Sequence, residues 1–167
     1  MLIIGSPGAG KSTLARELAL RTGLPVHNLD RLYWRPGWVE PEKQAWADEV
    51  ARLISAPRWI IEGNYGGTLP LRLSRADTVI DVDLPAWLCV ARVLRRSVSS
   101  WGRVRPDMGA GCPERLDREF ARFLIYTATF PRRGRKRLGQ AMTGFAGRQV
   151  RLRSNAEIQG FLDRLPA

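Results

Sequence analysis

The 167 residues are 44% hydrophobic and 26% charged, the balance of one ordinary globular domain. A chain this long buries its own core without disulfides or metal, and Cys89, Cys112 and the single histidine His27 form no metal-ligand spacing, so a structural zinc site is excluded. The formal net charge of +11 lies entirely in the second half: Met1 to Ala91 carries ten basic against ten acidic residues, Arg92 to Ala167 seventeen against six.

In chain order, the apolar run Leu2-Ile3-Ile4 predicts a first strand ending at Gly5, followed by a glycine-rich loop. Leu14, Ala15, Leu18 and Ala19 then recur at helical spacing up to Gly23. Residues 25–29 predict a second strand ending at Asp30. Pro41 predicts the first turn of a helix whose buried stripe is Trp46, Val50, Leu53 and Ile54. Trp59-Ile60-Ile61 is a third strand stopped by Gly63, and residues 78–84 are a fourth, less buried on the face that carries carboxylates. Trp87, Ala91 and Leu94 mark a helix over 87–98.

The segment from Trp101 to Pro113, rich in glycine, proline and arginine, predicts a mobile loop. Residues 114–129 carry Leu116, Phe120, Phe123, Leu124 and Thr127 on one helical face. Pro131 opens a basic stretch with helical character to about Phe145, and 149–152 is the last strand. Ser154 and Glu157 have capping-box spacing, so residues 158–165 should be helical. Strands alternating with helices argue a parallel sheet with helices on both faces. The N-terminus has neither the basic nor the apolar region of a secretory signal, and no run of 18 apolar residues occurs; a cytoplasmic location without membrane contact is expected.

Gly5-Ser6-Pro7-Gly8-Ala9-Gly10-Lys11-Ser12, continued by Thr13, fits the full G-x-x-x-x-G-K-[ST] pattern between a strand and a helix. Glycines let backbone N–H groups face phosphate oxygens, and the helix N-terminus adds its positive dipole end. Lys11 can reach the β- and γ-phosphates of a nucleoside triphosphate, and the Ser12 hydroxyl can ligate Mg²⁺.

Two carboxylates fall at strand ends, where open parallel sheets place ligands. Asp30 is a candidate base or orienter of metal-bound water, or else a turn cap. Glu62 is a candidate to orient Mg²⁺ through water, or else a surface carboxylate. Arg92, Arg95 and Arg96 lead into the loop that carries Arg103 and Arg105. Such a basic segment can neutralise a transferring phosphoryl group and exclude water; Arg95 and Arg96 are the catalytic candidates. Tyr33, Trp34 and Trp38 either pack a subdomain edge or stack on a planar base. Arginine makes up 24 of the 27 basic residues, favouring an anionic ligand over a solvated surface alone.

The chain resembles the adenylate-kinase-like P-loop proteins, and among them the bacterial family labelled DNA topology modulation proteins (FlaR-related). The residues that carry this likeness are 5–13, Asn28-Leu29-Asp30 with 33–38, 59–65, 76–80, 83–85, 92–96, and 105–108 through 111–114. The resemblance implies a three-layer α/β fold with a five-stranded parallel sheet of order 2-3-1-4-5. It also implies a substrate-side insertion over about 31–57 and a short lid over about 95–113. By the same resemblance Glu62-Gly63 stands where adenylate kinases carry Asp-Gly, and Arg92, Arg95 and Arg96 stand where their lid arginines begin.

The function expected from the sequence is ATP- and Mg²⁺-dependent phosphoryl transfer to a small-molecule acceptor, by a monomer unless shown otherwise. The alternative is an ATP-switched nucleic-acid-binding protein affecting DNA topology. It rests on the sixteen basic against four acidic residues between Arg92 and Arg153, densest over 131–137.

Overall fold

Five strands, β1 (Leu2–Gly5), β2 (Val26–Asn28), β3 (Ile60–Glu62), β4 (Thr78–Val82) and β5 (Arg148–Leu152), form one sheet in the computed structural model, which describes residues 1–165. All pairings are parallel, as the alternation of strands and helices predicts, and the order is β2-β3-β1-β4-β5, as the resemblance implies. Side chains alternate between the faces of a strand, so β1 sends Leu2 and Ile4 to one side and Ile3 to the other. Each face therefore builds its own apolar cluster.

Helices α1 (Lys11–Thr22) and α7 (Asn155–Asp163) close the cluster around Ile3, Ile60 and Ile80. Helices α3 (Lys43–Ser55), α4 (Leu69–Leu73) and α6 (Arg118–Ala141) close the one around Leu2, Ile4 and Ile61. A short helix α2 (Leu29–Tyr33) follows β2, and α5 (Ala86–Ser99) lies beside α6 while burying Cys89 toward α1. The result is three layers. Ser154 caps α7 by accepting from the Glu157 N–H at 3.1 Å, while the Glu157 carboxylate reaches back to the Arg153 N–H at 2.8 Å.

Five expectations need correction. Asp30 does not end a strand: β2 stops at Asn28, whose side-chain oxygen accepts from the Arg31 N–H at 3.1 Å and starts α2, so Asp30 lies in that helix's first turn. Pro41 precedes α3, which begins at Lys43 after Glu42. Residues 114–117 are outside the long helix, which Asp117 caps through the Phe120 N–H. That helix then runs unbroken through Pro131. An interior proline costs about 3 kcal/mol, yet Phe130, Gly134 and Leu138 fall one turn apart and are all buried, and that packing outweighs it.

Segment 101–113, expected to be a mobile loop, is docked on the stretch after α2. The Gly37 N–H donates to the Gly111 carbonyl at 2.9 Å, Trp38 Nε1 to the Pro113 carbonyl at 2.9 Å, and Cys112 Sγ lies 3.1 Å from the Arg35 carbonyl. At Gly109 a Cβ would sit 2.0 Å from the Trp34 carbonyl oxygen, so only glycine permits this approach. These anchors are mostly backbone groups, which composition does not reveal.

Candidate active site

The loop between β1 and α1 lies at the carboxyl edge of the sheet. Helix α1 has no side-chain cap and no acidic residue in its first turn, so its leading N–H groups are left for a ligand. Lys11 Nζ folds back across the loop and donates to the Ser6 carbonyl at 3.1 Å. The crest of the loop rests on α5: Gly8 has φ +76°, and a Cβ there would come 2.5 Å from the Cys89 carbonyl oxygen. Arg92 reaches from α5 to Asn155 Oδ1 at 3.0 Å, tying the loop's neighbourhood to the start of α7.

Glu62, the last residue of β3, is 2% exposed, and Ser12 Oγ donates to its Oε1 at 2.9 Å. Burial raises the Glu62 pKa above the ordinary carboxylate value; the Lys11 ammonium opposes the rise and Asp30 adds to it. Sequence reasoning assigned no role to the residues just beyond. The Asn64 amide brackets Gly5, accepting from its N–H at 3.0 Å and donating to its carbonyl at 2.9 Å. This locks the end of β3 to the start of the phosphate-loop motif.

Arg72 of α4 is 0% exposed and donates to the carbonyls of Gly63, Asn64 and Tyr65 at 2.9, 2.5 and 3.0 Å. Tyr65, with φ +32°, donates its hydroxyl to Asp30 Oδ1 at 2.7 Å. Burial and the Asp30 charge push the phenol pKa far upward, so it remains a donor. Asn64 and Tyr65 stand within the stretch that carries the family resemblance, which was the one signal pointing to them; Arg72 had none.

These groups line a cleft of about 970 Å³. Pro7 to Thr13, Asp30, Glu62, Arg95 and Arg96 all border it, whereas Gly5 and Ser6 are buried behind the loop. A second cavity of about 660 Å³ adjoins the first, and both are bordered by Asp30, Trp34, Arg96, Arg105, Phe123 and Tyr126. Of the aromatic trio, Tyr33 packs against Trp46 and Tyr65, while Trp34 and Trp38 face the second cavity.

Arg96 is the better placed of the two catalytic candidates. Its Nε is buried with no hydrogen-bond partner among the described residues, and burial, then the neighbouring Arg105 charge, pulls its pKa down. Arg95 is exposed at the rim. Arg105 is held by Glu114 Oε1 at 2.5 Å and Asp107 Oδ2 at 3.0 Å.

Among the described residues no group of three His, Cys, Asp or Glu is placed to hold a metal. Mg²⁺ keeps several waters and needs only one or two protein oxygens plus phosphate, and the Ser12 hydroxyl beside the Glu62 carboxylate fits that need. The basic stretch 131–137 lies on α6; Arg132, Arg133, Lys136 and Arg137 are exposed, while Arg135 pairs with Asp83. No described helix is long and apolar enough to cross a membrane.

No protein-family model matches the chain, and no curated protein sequence matches it. Solved structures share its fold. A candidate kinase from Chloroflexus aurantiacus superposes with TM-score 0.55 at 16% identity, over 97% of this chain and 94% of that one. A sugar kinase from Janibacter sp. gives 0.52 at 16% identity over 98% and 89%, and the deoxyadenosine kinase of M. mycoides with bound dATP gives 0.51 at 15% over 98% and 97%. The chain has the three-layer P-loop fold of these proteins.

Proposed function

We propose that the protein is an ATP- and Mg²⁺-dependent phosphotransferase acting on a small acceptor. The observation that carries this is the pair of adjoining cavities with Asp30 and Arg96 on their shared border: one is walled by the phosphate loop, the other by aromatic side chains. The fold shared with kinases supports the same reading, and the resemblance read from the sequence favours ATP as donor.

In the proposed reaction the α1 amides and Lys11 hold the triphosphate, with Lys11 moving from the Ser6 carbonyl onto the β- and γ-phosphates. Ser12 would hold Mg²⁺, backed by Glu62; the ion when bound neutralises phosphate charge and orients the γ-phosphoryl group. Asp30 accepts the proton of the acceptor hydroxyl, whose oxygen forms a bond to the γ-phosphorus. The bond to the β-phosphate oxygen breaks, its electron pair leaves with ADP, and the proton passes from Asp30 to water. Arg96 stabilises the charge spread over the transferring oxygens.

Lys11→Ala tests the reading. It should keep the fold, measured by circular dichroism, and lower acceptor-dependent ADP formation by about 100-fold or more. Turnover equal to the parent refutes the assignment. A second reading, an ATP-switched nucleic-acid binder, draws on the exposed cations of α6. It requires DNA affinity that falls steeply between two salt concentrations, and a flat or absent response ends it.

A further inference from the structure

The two adjoining cavities differ in charge. Lysines and arginines outnumber carboxylates seven to four around the cleft at the phosphate loop, whereas around the second cavity five carboxylates face four arginines. Pairing sharpens the contrast. Of those four arginines, Arg105 is held by Glu114 and Asp107, and Arg122 by Glu119. Arg96 stands on the border shared with the cleft, and Arg115 is exposed. Asp30, Glu40 and Asp117 border the second cavity with no ion pair among the described residues.

A phosphate dianion entering this cavity would therefore meet two arginines already paired with carboxylates and three carboxylates without an ion pair among the described residues, against Arg96, which the transferring γ-phosphoryl group engages on the shared border, and the exposed Arg115. Like charges at a few ångströms in a partly desolvated pocket repel, and a site that binds a phosphate monoester needs free, forked donors instead. Hydroxyl groups suit the carboxylates, which accept their hydrogen bonds. The faces of Trp34, Trp38 and Phe123 suit a flat or saturated ring.

Resting on the phosphotransferase reading, we infer that the acceptor is an uncharged, hydroxylated ring compound, of the nucleoside or sugar class, and not a phosphate monoester. The balance is that of the reaction above: the ring hydroxyl loses its proton to Asp30, its oxygen takes the γ-phosphoryl group, and ADP leaves.

The test uses the full chain with Mg-ATP and matched pairs: adenosine, deoxycytidine, ribose and glucose, each beside its own phosphate monoester, with ADP formation and product mass as readouts. At least one free alcohol should exceed its monoester by about 100-fold in kcat/KM. The nucleoside and sugar arms separate the two sources of the shared chemistry. A monoester that equals or exceeds its alcohol overturns the inference and leaves the phosphotransferase reading standing. ADP formation stimulated by no member of either set, with ATP still bound, overturns that reading itself.

Glu114→Gln and, independently, Asp107→Asn release one partner of Arg105. In whichever variant melts cooperatively and still binds ATP, the KM for the monoester should fall about tenfold or more relative to that for the alcohol. An unchanged ratio in both overturns the charge argument.

Discussion

Replacing Arg72 with methionine removes a buried cation that does not itself line the cleft, yet holds the backbone of three residues that do. Three donated bonds, at 2.9, 2.5 and 3.0 Å, end on the carbonyls of Gly63, Asn64 and Tyr65. Hydrogen bonds to a charged group contribute about 1.5–3 kcal/mol each, so the three together are worth about 5–9 kcal/mol. Against this stands the burial of the guanidinium, whose pKa is pulled well below its ordinary value, down to about 10.

At about 1.4 kcal/mol per pKa unit that burial penalty is roughly 3 kcal/mol, which methionine relieves. The difference leaves a net loss centred on about 4 kcal/mol, and for a chain of this length a fall in Tm of about 8–16 °C. Urea titration and thermal melts followed by circular dichroism measure it directly. Arg72→Lys, which keeps a charge but not the fork, should recover only part of the loss. Because Asn64 also brackets Gly5, ATP affinity should weaken in parallel in the folded variant. A loss below about 1 kcal/mol would show that the three carbonyls find other partners, and the reasoning would be refuted.

Glu62→Gln should raise stability at neutral pH in metal-free buffer while lowering turnover. The folded-state pKa of Glu62 lies above its ordinary 4.5, so its contribution is complete below that value and is lost as pH rises through the raised one. Chemical denaturation from acid to neutral pH should show that decline in the parent and not in the variant; equal slopes argue against it. Gly8→Ala places a Cβ 2.5 Å from the Cys89 carbonyl at a left-handed φ. It should cost about 1–3 kcal/mol and abolish tight ATP binding by calorimetry, and an unchanged affinity would mean that the crest of the loop does not need its seat on α5. Tyr65→Phe removes the donor to Asp30 and should lower kcat more than it raises the acceptor KM; the reverse would make Asp30 a binding group and not a base.

Period and punctuation in the sequence sufficed for the strands, their parallel arrangement and the phosphate loop, while the strand order came from the resemblance to adenylate-kinase-like proteins. Leu2-Ile3-Ile4 is apolar without interruption because β1 is covered on both faces, and a strand, a glycine-rich turn and a helix in succession leave only one way to present Lys11 and Ser12. Local signals of this kind survive because the residues that cooperate are neighbours in the chain. Where a local signal competed with packing it failed: Pro131 marks a helix boundary by itself, but Phe130, Gly134 and Leu138 gain more by continuing into the core.

The tertiary structure decided everything that joins distant segments. Ser12 meets Glu62, Asn64 brackets Gly5, Tyr65 reaches Asp30, and Arg105 is neutralised by Glu114, contacts spanning 50, 59, 35 and 9 residues. A sequence lists the charges of the second half and cannot say which cancel. Only folding brings Glu114 onto Arg105 and leaves Asp30, Glu40 and Asp117 at the cavity without an ion pair among the described residues, because an electrostatic field depends on distances through space and not along the chain.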